Sequence, residues 1–347
     1  MAKKLGFAIL SVAIDAPDIH ANAWVKAIQK NPNIKLRGVW DHRINRGRKF
    51  AKRYNTDFIP ELDSILNDPD IHMVGICSEN NRHAELTIKS ALAGKHVLCE
   101  KPMALNLDEA NQVVDVIKKT GVKFMQCFPK RFCPIHQKTR ELVQSGKLGK
   151  ISSVSMRHGH PLGFVDEYIN DWYTDPEQSG GGVIVDQAIH SIDFLRWVFG
   201  EPKSVFAEKS TVLENLPVED NLVALLRFPD NVIATIESSW THRAGLSTIE
   251  IFGDKGILIQ NYGDLASIHD IPKKAPKPLL VWTNKEGWEE YDLPIYHKKS
   301  HEILAKEFFN MVIKDEESLI TASSGKRVVE IILALQKSAD TGIRISI

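Results

Sequence analysis

Residues 5–40 read LGFAILSVAIDAPDIHANAWVKAIQKNPNIKLRGVW, and this stretch decides the fold. Leu5–Ser11 is an unbroken apolar run, the pattern of a strand covered on both faces. Ala21, Trp24, Val25 and Ile28 then return at helical spacing, and Ile34–Trp40 is a second buried strand. A helix carried between two such strands is a crossover, so the strands lie parallel.

Working outward, the alternation continues. A basic helix around Arg46–Tyr54 precedes a strand at Ile71–Cys77. Ala84, Ile88, Ala91 and Leu92 mark the next helix, closed by Gly94. His96–Cys99 is a strand, Asp108–Thr120 a helix stopped by Gly121, and Lys123–Phe128 a further strand. The pattern predicts an α/β domain over residues 1–127, a Rossmann-type doubly wound parallel sheet. After Phe128 the pattern changes. A helix over Pro134–Ser145 leads to a strand at Ile151–His158, and a helix over Val183–Phe199 follows. Then come Leu222–Phe228 and Val232–Trp240 around Pro229-Asp230-Asn231, and Thr248–Phe252 and Ile257–Gln260 around Gly253–Gly256. Turns this tight join antiparallel neighbours. Residues 128–347 therefore read as an α+β domain with a large, mostly antiparallel open sheet, finished by helices near Glu302–Lys314 and Gly325–Thr341.

A length of 347 residues suits two such domains. Lys+Arg and Asp+Glu both number 44, so no net basic charge draws the chain to nucleic acid or an anionic membrane. Arg43, Arg46, Arg48 and Lys49 read as a solvated helix face. No run approaches the ~20 apolar residues of a membrane span. Cys77, Cys99, Cys127 and Cys133 form no C-x-x-C pair and read as reduced core thiols of a cytoplasmic protein. Lys3-Lys4 before the Leu5–Ile14 run, with Ala21-Asn22-Ala23 beyond, has the outline of an export signal, but Asp15 and Asp18 interrupt it.

In a doubly wound sheet, ligands bind at the carboxyl ends of the strands. The first strand–helix turn, Ser11-Val12-Ala13-Ile14-Asp15-Ala16, stands where a dinucleotide site carries G-x-G-x-x-G. It has no glycine, only the small Ser11, Ala13 and Ala16, and Asp15 adds a negative charge. On this turn alone, a shifted pyrophosphate and no ligand at all are equal alternatives. Asp41 ends the second strand, where a carboxylate accepts hydrogen bonds from the adenosine ribose hydroxyls and favours NAD. His42 and Arg43 are able to pair with a 2′-phosphate, which leaves NADP open.

Glu100-Lys101-Pro102 ends a buried strand, placing Lys101 as a candidate acid–base group. The run Ser179–Asp193 carries three glycines, then Asp186 and His190 at i, i+4 with Asp193 a turn further on. A carboxylate and an imidazole on one helix face grip a diol while the imidazole moves a proton. His158-Gly159-His160 sets two imidazoles on one face of a strand. With Asp186 or His190 they offer a metal set, but hydrogen bonding to substrate hydroxyls, or simply lining the cleft, is the preferred reading and no metal is expected. Arg131, Trp172 and Tyr173 are candidate substrate contacts, since sugar faces stack on aromatic rings. Trp172 and Tyr173 serve equally as packing anchors.

Together these pieces resemble the glucose–fructose oxidoreductase/inositol dehydrogenase (Gfo/Idh/MocA) family over nearly the whole chain. The E-K-P turn at Glu100–Pro102 and the G-G-G-x-x-x-D-x-x-x-H run from Gly180 to His190 are its most specific marks. Asn80 to His83 is similar to the family's T-P-N-x-x-H loop, with Ser78 and Glu79 in place of Thr and Pro. Phe128–Phe132 is similar to its N-R-R-F segment, and Leu148-Gly149 fits as well. The resemblance implies cofactor contacts at Ser78, Asn80, His83, Glu100 and Lys101. It also implies a catalytic set of Lys101, Asp186 and His190 that moves hydride between a nicotinamide and a sugar or polyol carbon. The absent glycine fingerprint is the main departure. Two other readings stay open, a non-catalytic sugar or dinucleotide sensor and a redox-assisted glycoside hydrolase. The broad antiparallel sheet predicts a homodimer or homotetramer packed through it.

Overall fold

A computed structural model describes residues 4–13, 20–243, 245–261, 276–294 and 299–347 of the chain. By internal packing the chain divides into two units, Met1–Phe128 with His301–Val329, and Pro129–Ser300 with Glu330–Ile347. His301–Val329, assigned by the sequence pattern to the second domain, thus groups with the first. The physical reason is apolar. The helix Lys299–Lys314 buries Phe308 and Phe309, and Phe309 meets Phe7 edge-on at 5.4 Å between ring centroids.

The first unit is built on β1 (Leu5–Leu10), β2 (Ile34–Trp40), β3 (Ile71–Ile76), β4 (His96–Cys99) and β5 (Phe124–Gln126). They lie in the order β2-β1-β3-β4-β5, every pair parallel. Phe7, Ala8, Ile9 and Leu10 are all fully buried, as helices on both faces require. Phe7, Ile9 and Leu10 each contribute roughly 1.5–3 kcal/mol by leaving water. Ala84, Leu86, Ala110 and Val113 pack onto one face of the strands at Leu10, Val74, Ile76 and Val97. The chain starts at β1 and winds outward both ways, so the crevice of the topological switch opens between the carboxyl ends of β1 and β3. Ser11, Asp41, Cys77-Ser78 and Glu100-Lys101 follow directly on β1 to β4 and stand at that edge. Ile14, Asp15 and Ala16 lie outside the described residues.

Among the described residues the second unit has nine strands: β6 (Ile151–Gly159), β7 (Ser204–Ser210), β8 (Asn221–Arg227), β9 (Ile233–Ser239), β10 (Leu246–Gly253), β11 (Gly256–Asn261), β12 (Leu279–Thr283), β13 (Gly287–Tyr291) and β14 (Ile345–Ser346). Their order is β13-β12-β11-β10-β6-β9-β8-β7-β14. Only β6 and β9 pair in parallel; the rest are antiparallel, including both tight-turn hairpins anticipated from sequence. Burial alternates along β8, with Leu222, Ala224 and Leu226 inward and Val223 and Leu225 outward. The helices Pro134–Gln144 and Ile189–Phe199 cover the inner face, where Thr139 Oγ1 donates to the buried Gln260 Oε1 at 2.7 Å.

No disulfide links the four buried cysteines. Burial pushes the Cys77, Cys99 and Cys127 thiols well up, so they stay protonated and inert. Among the described residues, no helix is long and apolar enough to cross a membrane.

Candidate functional site

At the carboxyl edge of the first unit, Ser11 and Ala13 adopt φ of 64° and 52°, the left-handed region that glycine enters freely. The turn therefore keeps a backbone suited to glycine at two fingerprint positions, with Ser and Ala bearing the strain. What holds it is Arg46, which is 7 % exposed and not on the solvated helix face read from sequence. Arg48, Lys49 and Arg43 do face solvent. Arg46 is bidentate to Asp41 (Nε–Oδ2 and Nη2–Oδ1, both 2.8 Å), and its Nη2 donates to Ser11 Oγ at 2.9 Å. Nη1 donates to Glu79 Oε1 at 3.0 Å and to the Ala13 carbonyl. Burial opposes this charge, but the hydrogen bonds and charges of Asp41 and Glu79 outweigh it and raise the Arg46 pKa above its ordinary value.

Asp41 also accepts from the amides of Val12 (3.1 Å) and Arg43 (2.8 Å), so four donors already occupy its carboxylate. Glu79, fully buried where the family resemblance places Pro, faces His42 Nε2 at 3.5 Å and Arg43 Nε at 3.6 Å. Burial, with the charges of Arg82 and Arg46, lowers the His42 pKa against the pull of Glu79 and Asp41. Sequence reasoning missed Arg46 and Glu79. The available signal was Arg46 standing four residues before the buried Phe50, on the inward stripe of the helix Ile44–Tyr54.

His83 is fully buried between two carbonyls, with Nδ1 2.6 Å from Pro102 O and Nε2 3.0 Å from Ser78 O. Burial lowers its pKa, so its single N–H serves one carbonyl at a time, and it ties the Ser78 loop to the Lys101-Pro102 turn. Asn80 opens the short helical turn Asn80–Arg82 beside it. Glu100 and Lys101 are 5 % and 9 % exposed at the end of β4. Burial alone would raise the Glu100 carboxyl, but His20, His301 and Lys101 beside it bring its pKa down to about 2. His20 Nδ1 lies 2.9 Å from Glu100 Oε1.

In the second unit, the glycine run answers to Glu219. A Cβ on Gly182 would lie 1.9 Å from the Glu219 carbonyl oxygen, a distance only glycine permits. Glu219 Oε1 accepts from the amides of Gly182 (3.0 Å) and Ile184 (3.1 Å), placing a carboxylate on donors that open the next helix. That helix begins not as the α-helix expected over Val183–Phe199 but as a π-helix, Ile184–Ala188, before the α-helix Ile189–Phe199. Single π turns inside helices recur at functional positions. Ile184, Val185, Gln187, Ala188 and Ile189 are buried, while Asp186 and His190 are partly exposed.

Asp186 Oδ2 accepts from Trp240 Nε1 at 3.1 Å and lies 3.6 Å from His160 Nε2. The His158 and His190 rings sit 6.1 Å apart at 71°. His158 Nε2 lies 3.4 Å from Nζ of Lys130, a buried lysine that the sequence offered only within the Phe128–Phe132 segment; neither it nor Trp240 was a candidate site residue. The structure thus gathers His158, His160, Asp186 and His190 in this unit. Asp193 does not join them, because Arg131 holds it through Nε (2.9 Å) and Nη2 (2.6 Å). Trp172 is 4 % exposed and stacked on Tyr173 at 4.0 Å, a packing anchor with Tyr173 partly exposed beside it.

A family model described as "Oxidoreductase family, NAD-binding Rossmann fold" matches residues 18–128, and the "GFO/IDH/MocA C-terminal domain" matches residues 136–259. A 1,5-anhydro-D-fructose reductase of Ensifer adhaerens is 27% identical over 325 residues, covering 93% of this chain and 94% of that one. A myo-inositol 2-dehydrogenase of Thermotoga maritima is 32% identical over 228 residues, 64% of this chain and 66% of its own. The solved structure of a levoglucosan dehydrogenase with NADH and levoglucosan superposes with a TM-score of 0.86 at 22% identity, covering 99% of each chain, and so shares the fold. With a parallel nucleotide-binding sheet, an E-K-P turn, an Asp186/His190 helix and both halves matched, the chain belongs to the Gfo/Idh/MocA oxidoreductase family.

Proposed function

We propose that the chain is an NAD(P)-dependent dehydrogenase or reductase acting on a secondary hydroxyl, or its ketone, in a sugar, polyol or inositol-like substrate. The observation that carries this is the pair Asp186 and His190, partly exposed on a helix start otherwise buried and flanked by His158 and His160. The names of the relatives agree, all three being enzymes of cyclic polyols or anhydrosugars.

His190 takes the proton of the reacting hydroxyl or returns it. Lys101 stabilises the oxygen as charge develops there, and Asp186, held by Trp240, orients a neighbouring hydroxyl and the imidazole. His158 and His160 bind further hydroxyls, Tyr173 lines the sugar face, and Arg131 steadies the helix through Asp193. The residues of the first unit fit a dinucleotide, because the left-handed backbone at Ser11 and Ala13 is what a close pyrophosphate needs. Ser78 and Asn80 adjoin that turn, and Asp41 and Glu79 favour NAD by opposing a 2′-phosphate. When bound, the nicotinamide supplies the hydride acceptor or donor.

A panel of polyols and sugars with both cofactors, followed at the nicotinamide absorbance, tests the reading. Lys101→Ala is expected to lower kcat about 10²–10⁴-fold while NADH binding persists. Near-normal turnover in that variant removes Lys101 from its role. One observation favours the sensor reading: Arg46 fills the acceptor positions of Asp41. Fluorescence titration separates the two, since a protein that binds neither NADH nor NADPH at millimolar concentration is no dehydrogenase.

The outer face of the large sheet is proposed as the oligomer interface. Directly paired positions Ile233, Ser153, Phe252, Ile257, Trp282 and Trp288 form a row across six strands that is apolar except at Ser153. Ile233 is 48 % exposed and Trp288 57 %.

A further inference from the structure

We propose that His20, Glu100 and His301 form a binding site for one divalent transition ion of the zinc type. Three distant segments bring these residues together within the first unit. His20 opens the helix His20–Gln29, Glu100 follows β4, and His301 lies in the first turn of the helix Lys299–Lys314. One donor atom from each lies within 4.8 Å of the others, the one group of three His, Cys, Asp or Glu side chains so placed among the described residues.

The two imidazoles overlap at 4.0 Å between centroids with a 32° tilt, and His20 Nδ1 approaches Glu100 Oε1 at 2.9 Å. Zinc is held at bonds of about 2.0–2.1 Å in a tetrahedron, which sets neighbouring donors about 3.4 Å apart. The donors, within 4.8 Å of one another, bracket that spacing, and the His20 side chain, 35 % exposed, has solvent on one side. Two imidazoles and a carboxylate are an established zinc donor set that leaves a fourth position open.

The sequence pattern gave no hint of this set, since its members lie in three separate segments. The pair weighed there, His158 and His160, is differently placed: His158 faces Lys130 and His160 faces Asp186. An ion at Glu100 would share the carboxylate that also faces Lys101, so occupancy is read through binding and not through turnover.

The test uses the full chain stripped with chelator, then titrated calorimetrically with ZnCl₂ and followed with Co²⁺ by visible absorption. One ion per chain is expected, with tetrahedral Co²⁺ bands. His20→Ala and His301→Ala, each confirmed folded by circular dichroism, should weaken Zn²⁺ binding at least tenfold, while His158→Ala leaves it unchanged. His20→Gln keeps the helix start intact should His301→Ala fail to fold. Absence of stoichiometric binding to folded wild type overturns the site. So does undiminished binding in His20→Ala and His20→Gln, or loss of binding in His158→Ala alone.

Discussion

Arg46 commits every N–H of its guanidinium to Asp41, Ser11, Glu79 and Ala13. Arg46→Met should therefore destabilise the protein by about 3–5 kcal/mol, since it strips the buried guanidinium from Asp41 and leaves Glu79 only its more distant pairs with Arg43 and Arg82. Arg46→Lys should recover only part, because one ammonium cannot reproduce a planar fork. Denaturant midpoints at equal m-value check both. His83 gives a second prediction, on pH. Its folded pKa lies below its unfolded value because of burial, so the stability it contributes is fully present above the unfolded value. That stability is lost as pH falls through the folded one. Wild type should weaken between about pH 7.5 and 5.5 by more than His83→Gln does, in paired urea melts across that window. Identical pH slopes would refute it. At this scale the sequence told half the story. Lys101, Asp186, His190 and Asp41 stood out by position at strand ends or helical spacing. Arg46, Glu79, Lys130 and Trp240 did not, because an isolated charge or indole says nothing of its partner until the chain folds.

The helix that carries Asp186 and His190 was legible as a helix, but its π turn was not. No residue in Ile184–Ala188 marks the change from α-helical hydrogen bonding, in a segment whose leading amides at Gly182 and Ile184 bond Glu219. Deleting Val185 should return the segment to a regular α-helix and rotate Asp186 and His190 against what precedes them by about 100°. The expected result is far-UV circular dichroism close to wild type with turnover lost. Retained activity would show that the π turn has no part in the site. Among strands, β1 was legible because it is apolar throughout, and β2 to β4 because apolar residues dominate them, with Lys35 and Arg37 in β2 and one His in each of β3 and β4. β13, with Glu289 and Glu290 between aromatics, and β14, a two-residue edge, lack the hydrophobic signal and depend on neighbours for their existence.

For the whole molecule, the two fold classes followed from the change of period after Phe128. The grouping of His301–Val329 did not, because a helix's apolar stripe does not say which core it joins. The exposed apolar row on the large sheet predicts a dimer or tetramer by light scattering, and Ile233→Lys with Trp288→Glu should shift the mass toward monomer. A wild-type monomer at micromolar concentration would discard the interface.

The one parallel pair in that sheet, β6 beside β9, has a kinetic consequence. Every residue from His160 to Val232, the Asp186 helix and the β7–β8 hairpin included, lies in the loop this pairing must close. Such closure is entropically slow and follows local contacts. The histidines at the end of β6 should thus reach their neighbours on the Asp186 helix among the last events of refolding, and pulse-labelled amides of Val154–Gly159 should be protected later than those of Ile189–Phe199.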